Sequence, residues 1–509
     1  MEREVKAYNL YKKLSYIDGN LPESVRHDLN IDELCEKIDY TSSCIGRQYL
    51  YHLLCIDKVS SVNKHERLIE YLQKNFSIRK RVSEILGKIN KPETYTIVDL
   101  LSDNTCYSNR YLFLLQVCRW LPLLFLIWML VAATSALPLI LFLLSYIGNA
   151  FLHYRQKSRL SCYYFSIPQL YRLLLAADKL AQIDEFFKTD TTIGDCLSRL
   201  KKLKKMLHSF RLGIALQSES ALLLYLITEL ANIFTLYAAL NVAESFLYIR
   251  DKRKEVEHVF EFVGLIDVLC SLSFFRDSLP YWCKPTENRN EEMLYARSIC
   301  HPLIDNCVPN DLALFEKSII ITGSNMSGKT SFIRTIAANL LLGKVLNTCF
   351  AKEFRIDLSR RIYSVIHTED DLIRGKSFFL KEVENVKKAI DMSNDGKYLL
   401  VFDELFKGTN TIERIAINYA LLLDFAKSDH IILASTHDNE ITTLLQDKYD
   451  LYYFSETVAD TQLEFDYKLK KGVDREGNAI KILKLYKYPD SVVSMAERLR
   501  LNYKNKALT

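Results

Sequence analysis

A glycine-framed segment with a lysine and several hydroxyl groups stands between a strand-like stretch and a helical one. Residues 323–330 read GSNMSGKT and fit G-x-x-x-x-G-K-[ST], the spacing of a phosphate-binding loop. A buried strand is predicted for 319–322, and a helix is predicted after Thr330 until Gly343, which we expect to end it as a C′ glycine. Glycines let the backbone N–H groups and the helix N-terminus face phosphate oxygens. The segment therefore predicts a nucleotide phosphate site.

The side chains of this loop predict its chemistry. Lys329 is expected to neutralise charge on the β- and γ-phosphates and to act in hydrolysis, and the Thr330 hydroxyl is expected to bind Mg²⁺. ATP and Mg²⁺ are therefore the predicted cofactors. The residues expected to contact the nucleotide are Gly323, Ser324, Asn325, Met326, Ser327, Gly328, Lys329, Thr330 and Ser331.

A second apolar strand pattern ends in two carboxylates. Residues 397–402 read KYLLVF and are followed by Asp403 and Glu404, as in a Walker B strand. Asp403 is expected to hold Mg²⁺ through water, and Glu404 is expected to orient or deprotonate the attacking water. The pattern is weak evidence alone, but it follows the phosphate loop within the same predicted sheet. A catalytic pair is therefore the better interpretation.

A third strand pattern, at 431–434, leads into Thr436 and His437 after a helix predicted for about 412–427. This order predicts a βαβ crossover, in which the strands are parallel and end at one edge of the sheet. His437 should then lie near the phosphates, where it could sense the γ-phosphate. A purely structural histidine is the competing interpretation.

The chain that positions these residues has room for several domains. Its 509 residues, 49% of them hydrophobic, allow two or three full cores. A net charge of +5 is too small to indicate nucleic-acid binding by itself. The twelve cysteines show no C-x-x-C pair and no zinc spacing, so we expect reduced, mostly buried thiols. The charged N-terminus lacks the apolar core of a signal peptide.

An uncharged apolar stretch interrupts the helical N-terminal part. Residues 120–152 are 33 consecutive positions without Asp, Glu, Lys or Arg. As one helix they would span about 50 Å, against roughly 30 Å for the hydrocarbon core of a bilayer. We therefore predict two membrane passes, near 112–132 and 137–153. Basic residues on both flanks place both ends in the cytoplasm. A buried hairpin of a soluble protein is the alternative.

Two later segments leave alternatives open. The basic run at 201–205 could contact anionic lipid or nucleic-acid phosphates, but a solvated helix face is favoured. Residues 221–249 are apolar and include Glu229 and Glu244. A further membrane pass, a re-entrant hairpin and a buried long helix all fit this segment, and the two carboxylates favour the buried helix.

The ordered motifs resemble those of one family. Residues 321–335 (ITGSNMSGKTSFIRT) resemble the phosphate loop of the MutS mismatch-repair ATPases, with an Asn-Met pair inside the loop. The run LVFDELFKGTNTIER looks like the same family's Walker B strand, and ILASTHD looks like its histidine strand. Between them, residues 375–382 (GKSFFLKE) are similar to the family's signature segment, of the form G-R-S-T-F-x-x-E.

Weaker similarities and clear departures accompany these motifs. Residues 41–100 resemble the start of the family's core domain, 264–272 its last lever-helix segment, 301–303 the entry to its ATPase domain, and 465–499 its closing hairpin and helix. The chain has no room for the N-terminal mismatch-reading and connector domains, and the apolar stretch replaces the clamp and much of the lever. In the signature segment, Lys376 and Phe378 replace the expected arginine and threonine.

The apolar stretch and the resemblance together predict a multi-domain protein: a mainly α-helical N-terminal part with a transmembrane hairpin, followed by an α/β P-loop NTPase domain of the ABC type. It implies a homodimer in which Ser377 of one subunit closes in trans on the γ-phosphate held by the other. The expected domains are a helical core-like region at 1–105, a transmembrane hairpin at 106–160, a lever-like helical region with a candidate further membrane segment at 161–290, and the ATPase domain with a C-terminal hairpin and helix at 291–509.

The expected function is that of a membrane-anchored, multi-pass, MutS-like ATPase with cytoplasmic N- and C-terminal domains. The family implies binding of mismatched or branched DNA in DNA repair, and the apolar stretch predicts membrane lipid as a second partner. A membrane-associated mechanical or scaffolding ATPase that does not bind DNA is the alternative. A small-molecule P-loop kinase is disfavoured, because it leaves the Ser377 segment and the histidine strand without a role.

Overall fold

A computed structural model describes most of the chain. The described residues are 3–13, 20–102, 108–131, 136–160, 166–215, 222–287, 292–324, 326–366, 378–392, 395–458, 463–473, 480, 483–484 and 486–506. They form two compact units, of which the first comprises Met1–Ile17, Asp39–His52 and Arg67–Asp277. The second comprises Asp18–Ile38, Leu53–Glu66 and Ser278–Thr509, so it includes two segments from the N-terminal region.

The first unit is helical. Two helices within residues 18–38, which interrupt its sequence, belong to the second unit. The helices up to residue 278 are α1 (Arg3–Lys13), α2 (Glu23–Asp28), α3 (Ile31–Ile38), α4 (Cys44–Leu54), α5 (Glu66–Lys74), α6 (Phe76–Leu86), α7 (Ile97–Ser102), α8 (Asn109–Val131), α9 (Leu137–Leu160), α10 (Ser166–Leu180), α11 (Asp184–Thr189), α12 (Ile193–Arg199), α13 (Lys201–Ala215), α14 (Leu222–Thr235), α15 (Tyr237–Asp251) and α16 (Arg253–Ser278). The predicted helical character of the N-terminal part is confirmed.

Helix α16 forms the buried centre of the first unit. Asp267 on α16 is fully buried and accepts hydrogen bonds from the backbone N–H groups of Ser42 and Ser43, both at 2.9 Å, at the start of α4. Burial raises the pKa of Asp267 to about 7. Tyr8 donates to Glu261 at 3.1 Å and stacks on the ring of Phe260, both on α16. The N-terminal helices are therefore fixed to α16 by polar and aromatic contacts.

The helices α8 and α9 occupy the predicted membrane stretch. They agree with the two helices predicted near 112–132 and 137–153, and α9 runs seven residues further, through its basic end. By length and composition, three of the described helices could cross a membrane: α8, α9 and α16. The apolar windows of α8 and α9 are only 11% and 17% buried, whereas that of α16 is 78% buried. Of these three helices, α8 and α9 therefore leave most of their apolar side chains exposed, and α16 does not.

Residues 221–249 do not form one buried helix. They form α14 and α15, which meet at a 66° bend, and Leu236 between them has a left-handed backbone with φ +48°. Leu226, Ile227 and Leu230 of α14 are 49–58% exposed, so the preference for a buried helix is wrong for α14. The reason is that no described part of the chain covers this face, whereas α15 buries most of its apolar side chains.

The second unit contains two sheets and the helices that cover them. Its strands are β1 (Leu294–Ile299), β2 (Asn310–Leu314), β3 (Ile319–Thr322), β4 (Glu353–Ile356), β5 (Arg361–Val365), β6 (Tyr398–Asp403), β7 (Ile431–Ser435), β8 (Asp450–Tyr453), β9 (Glu456–Val458), β10 (Leu463–Phe465) and β11 (Lys470–Lys471). Its later helices are α17 (Lys329–Leu346), α18 (Phe378–Met392), α19 (Thr411–Phe425), α20 (Asn439–Leu445) and α21 (Asp490–Lys506). The predicted α/β character of the C-terminal part is confirmed.

The larger sheet carries the predicted chemistry. Its order is β11-β8-β3-β7-β6-β5, in which β8, β3, β7, β6 and β5 are parallel and β11 is antiparallel to β8. Strands β3, β6 and β7 lie within two residues of their predicted bounds, and the βαβ crossover from β6 through α19 to β7 is confirmed. The strand that leads to His437 therefore lies between the phosphate-loop strand and the Walker B strand.

One expectation for this unit, the end of α17, is wrong. Helix α17 does not end at Gly343 but continues to Leu346, where Asn347 has the left-handed conformation and its N–H bonds back to the carbonyl of Gly343. Gly343 lies in a tight space, because a Cβ there would lie 3.0 Å from Cys349 Sγ and 3.1 Å from Pro285 Cγ, and these neighbours would have to shift. Near the C-terminus, β9 and β10 pair as a hairpin that ends at Phe465, β11 pairs with β8 in the large sheet, and α21 follows. The hairpin predicted within 465–499 stays a prediction, because much of that range lies outside the described residues.

A buried ion pair ties residues 53–66 to this sheet. Asp57 bonds the ammonium of Lys344 on α17 and accepts from the Ile362 N–H at 2.7 Å, and the two charged side chains are 6% and 1% exposed. Asp57→Ala would leave the Lys344 charge buried without this partner, at a cost of about 3–5 kcal/mol. We expect a clearly lower urea midpoint for unfolding.

The matched control for this prediction is Asp305→Ala. Asp305 pairs with Lys37 at 2.7 Å, but the two side chains are 82% and 44% exposed. Such surface pairs contribute about 0–1 kcal/mol. Equal urea midpoints for the two variants would show that the Asp57 pair does not hold this part of the unit.

Candidate nucleotide site

The phosphate loop follows β3 with the backbone geometry that its glycines permit. Gly323 has φ +138° and Gly328 has φ +112°, both in the region that favours glycine. A Cβ on Gly323 would lie 2.5 Å from the Phe454 carbonyl oxygen, so the loop passes too close to β8 for any side chain. Met326 has φ +71° and is 81% exposed at the tip of the loop. Asn325 lies outside the described residues.

Lys329 opens α17 and points back into the loop. Its ammonium donates to the carbonyl oxygens of Gly323 and Ser324 at 2.8 and 2.7 Å, and the side chain is buried. Burial lowers the pKa of Lys329, while the negative charges of Glu404 and Asp403 oppose that shift. The sequence-predicted lysine therefore lies at the centre of the loop with its charge partly desolvated.

The two predicted Mg²⁺ ligands lie side by side. The Thr330 hydroxyl donates to Asp403 Oδ2 at 2.8 Å, and Ser435 at the end of β7 bonds the other oxygen of the same carboxylate. A hydroxyl and a carboxylate are oxygen donors of the type that Mg²⁺ prefers. The described residues hold no cluster of three or more His, Cys, Asp or Glu side chains that could bind a metal by themselves. A Mg²⁺ here would therefore complete its shell with water and phosphate oxygens.

Glu404 and His437 are in direct contact. Glu404 Oε1 lies 2.5 Å from His437 Nε2, and Glu404 Oε2 lies 2.7 Å from the ammonium of Lys407. Burial opposes ionisation, but the hydrogen bonds from His437 and Lys407 outweigh it and lower the pKa of Glu404 to about 2. Glu404 also has φ +49°, and its N–H bonds the Ser435 carbonyl at 3.1 Å. The carboxylate is thus ionised and held in one orientation.

The loop after Glu404 is held by a residue of the signature segment. Glu382, in the first turns of α18, accepts a 2.6 Å hydrogen bond from the Phe406 N–H. Burial raises the pKa of Glu382. Phe406 has φ +61°, so this bond fixes a strained position two residues after Glu404. Ser377 lies outside the described residues, directly before α18.

A cavity of about 590 Å³ opens beside the phosphate loop. One wall is the connection from β1 to β2, residues 301–308, and the other is the start of α17 with Tyr467. Burial and the charge of Arg334 lower the pKa of His301 in this wall to about 4, so its imidazole is neutral. A partly apolar wall with neutral and aromatic rings beside a phosphate loop suits the base and ribose of a nucleotide.

Most predicted site residues meet at one place, and the structure adds others. Lys329 Nζ lies 3.4 Å from His437 Nε2 and 3.7 Å from Glu404 Oε1. Sequence reasoning missed Glu456 of β9, which accepts from the Ser324 hydroxyl at 2.5 Å. It also missed Lys407, although a lysine three residues after Glu404 was a usable signal. The described residues therefore fit ATP and Mg²⁺ by donor chemistry, by the backbone cradle and by the adjacent cavity.

Comparison with known proteins gives one consistent family. Residues 319–503 match the family model described as MutS domain V. The chain is 29% identical over 269 residues to the DNA mismatch repair protein MutS of Staphylococcus aureus (strain MRSA252), which covers 50% of this chain and 30% of that protein. It is 28% identical over 257 residues to MutS of Natronomonas pharaonis, covering 48% of this chain and 29% of that protein.

A eukaryotic relative shows the same pattern. The chain is 28% identical over 254 residues to the DNA mismatch repair protein MSH3 of Candida glabrata, covering 47% of this chain and 25% of that protein. The matched part thus spans less than a third of the length of each of these relatives. The P-loop site and these matches together show that residues 319–503 are similar to MutS domain V, and that about half of the chain is similar to DNA mismatch repair proteins of the MutS family.

Proposed function

We propose that the chain binds and hydrolyses ATP with Mg²⁺ as a membrane-anchored MutS-type ATPase. The observation that carries this proposal is the convergence of Lys329, Glu404 and His437 at the carboxyl ends of β3, β6 and β7. Nucleotides bind at this edge of open parallel sheets. The test is release of phosphate from ATP by the purified full chain, with Mg²⁺ and with a chelator, and activity that survives chelation would overturn it.

The charged and polar side chains of the site have different proposed roles in ATP hydrolysis. Thr330 and Asp403 would hold Mg²⁺, which offsets phosphate charge when it is bound. Lys329 binds phosphate oxygens in place of its present carbonyl acceptors. Glu404, with a pKa of about 2, is a weak base, and a general base works best with a pKa near the working pH. In this arrangement Glu404 orients the attacking water, and His437 holds the carboxylate in place.

DNA is the proposed macromolecular partner. The relatives are DNA mismatch repair proteins by name, and α13 carries the exposed lysines Lys201, Lys202 and Lys205. The full chain in detergent should retain mismatched or branched duplex DNA at low salt. If it neutralises six or more phosphates, affinity should fall by about 10³-fold or more between 50 and 200 mM salt. Filter binding with matched duplex as the control, with and without ATP, measures this.

A second function is favoured by a specific feature, the exposed apolar helices α8 and α9. A membrane-bound ATPase that works mechanically or as a scaffold would use its ATP cycle without DNA. If the chain shows full ATPase activity but retains no DNA even at low salt, this second function is favoured over DNA repair.

Membrane anchoring is proposed from the same two helices. Leu124 of α8 and Leu144 of α9 are each more than half exposed. In a bilayer, Leu124→Asp and Leu144→Asp should each raise the insertion free energy by about 3–4 kcal/mol, since Asp is unfavourable there and Leu is favourable. We expect the native chain to resist carbonate extraction and the double variant to be extracted.

Phe76→Asp is the matched control for this membrane prediction. Phe76 is a 63% exposed aromatic residue at the start of α6, outside the proposed hairpin. Its substitution should leave carbonate resistance unchanged. Recovery of the native chain as a soluble protein without detergent would contradict anchoring.

A further inference from the structure

The helices that flank α14 and α15 in sequence, α13 and α16, are linked through the same group of packed helices, which we call the helical body. Lys204 of α13 pairs with Asp178 of α10, and the first residue of α10, Ser166, bonds the Thr96 hydroxyl at 2.6 Å. Tyr95, beside Thr96, accepts from Arg47 of α4 at 3.0 Å. The same helix α4 begins on the buried Asp267 of α16. Helices α13 and α16 therefore belong to one body and lie on one side of any membrane.

Between these two helices in sequence, α14 runs antiparallel to α9. Glu229 lies opposite His153 and Lys157, at 3.2 and 2.8 Å. Further along α14, the Phe234 carbonyl lies 3.4 Å from the Asn149 amide nitrogen. Residue numbers rise in α14 while they fall in α9, so α14 advances from the basic end of α9 towards its middle.

The chain then turns and comes back. After the left-handed Leu236, the Ala239 carbonyl of α15 accepts from Gln156 of α9 at 2.6 Å. Near the end of α15, Tyr248 donates to the Arg199 carbonyl at 2.9 Å, directly before α13. The C-terminal end of α15 therefore lies beside the start of α13, the helix that precedes α14 in the chain.

A stripe of polar side chains on one face of α9 contacts α14 and α15 on either side of the break. Asn149, His153 and Gln156 are at positions i, i+4 and i+7, on one face of α9, and all three are buried. Asn149 donates to the carbonyl of Phe234 at the end of α14, Gln156 donates to the carbonyl of Ala239 in the first turn of α15, and His153 contacts Glu229. Away from water, an unbonded backbone carbonyl costs several kcal/mol and a lone carboxylate costs more, so a break at membrane depth needs such partners.

The opposite face of α14 is apolar and uncovered by any described residue. Leu226, Ile227 and Leu230 are about half exposed, as are many side chains of the neighbouring α8 and α9. Because α14 lies along α9, its exposed face continues the apolar surface of that hairpin. The hydrocarbon that would surround α8 and α9 would therefore also surround α14.

We propose that α14 and α15 form a re-entrant element, which enters the bilayer beside the α8–α9 hairpin and leaves on the side from which it entered. The inference rests on the proposed membrane anchoring. A single crossing would put α13 and α16 on opposite sides, which their shared body does not allow. Helix α16, although long and apolar, lies in that body and does not cross.

Peptide-resolved maleimide labelling of single introduced cysteines tests this in cells that express the full chain. With an impermeant reagent, we expect Ala136→Cys, at the start of α9, to be labelled from outside. Ser198→Cys and Arg250→Cys should be labelled only after permeabilisation. Tyr237→Cys, at the turn, should then react at least about tenfold more slowly than Ser198→Cys, because maleimide needs a hydrated thiolate, and should react fully after denaturation.

The outcomes separate this inference from the anchoring. Labelling of Arg250→Cys from outside would show a crossing segment, and labelling of Tyr237→Cys as fast as Ser198→Cys would show a water-exposed turn. Either result overturns the re-entrant element while Ala136→Cys still reports an anchored hairpin. Failure to label Ala136→Cys from outside, together with carbonate extraction, would overturn both proposals.

A second pair of variants tests the polar stripe. In the Tyr237→Cys background, Gln156→Leu removes the donor to the Ala239 carbonyl and should raise labelling towards the rate of Ser198→Cys. Ser145→Ala is the matched control, since the Ser145 hydroxyl bonds Phe142 within α9 and does not contact the break. Equal labelling in the two backgrounds would contradict the role of the stripe.

Discussion

Lys329→Ala and Glu404→Gln should separate binding from hydrolysis. Without Lys329, ATP affinity should fall by about 10²-fold, since a hydrogen bond to a charged group contributes roughly 1.5–3 kcal/mol. Glu404→Gln keeps the shape and the contact with His437 but removes the negative charge that orients water. Its turnover should fall by about 10²–10⁴-fold while ATP affinity stays within a few-fold. Fluorescent-nucleotide titration and phosphate release measure the two effects.

Two conservative surface variants serve as controls for this pair. Lys427→Ala removes a lysine whose partner Asp424 is 76% exposed, and Glu440→Gln changes an exposed carboxylate of α20. Both should bind and hydrolyse ATP like the native chain. Equal losses of ATP affinity in Lys329→Ala and Glu404→Gln would show that the two roles are assigned wrongly.

The parts of this site that sequence reasoning found are those that local chemistry requires. A phosphate loop needs its glycines within a few residues of the lysine, and a Walker B carboxylate must follow its strand directly. Strands β3, β6 and β7 were therefore predicted almost to their ends. Gly343 shows the limit of this reasoning, because a glycine in a tight space beside Cys349 looks the same in sequence as one that ends a helix.

The parts that sequence reasoning missed depend on distant pairs. Asp28 of α2 accepts from the Ser364 hydroxyl at 2.7 Å and the Ile366 N–H at 3.1 Å, across more than three hundred residues of chain. No periodicity in residues 18–38 indicates that this helix supports strand β5. Likewise, the apolar composition of 221–249 could not distinguish a buried helix from an exposed one, because exposure depends on which other helices cover it.

The second prediction with a large expected effect concerns ATP-dependent dimerisation. If Ser377 reaches the γ-phosphate held by a partner subunit, the Glu404→Gln variant should accumulate as a dimer with ATP between its ATPase domains, because hydrolysis no longer releases it. Anchoring confines partners to two dimensions and should lower the ATP concentration needed. Light scattering in detergent and crosslinking in liposomes, with ATP titrated in each, measure this.

A contact of α18 would link closure of such a dimer to ATP hydrolysis. The Ser377→Arg variant is the control for the dimer. Ser377 directly precedes α18, and Glu382 of α18 bonds the Phe406 N–H in the loop after Glu404. Movement of the signature segment towards a partner would therefore pull on the loop that orients water in its own subunit. Ser377→Arg should keep ATP binding at its own Lys329 but remain monomeric, because the larger charged side chain blocks the partner's phosphate. A Glu404→Gln protein that stays monomeric at saturating ATP in both settings, or a Ser377→Arg protein that dimerises normally, would show that the two subunits do not share a composite site.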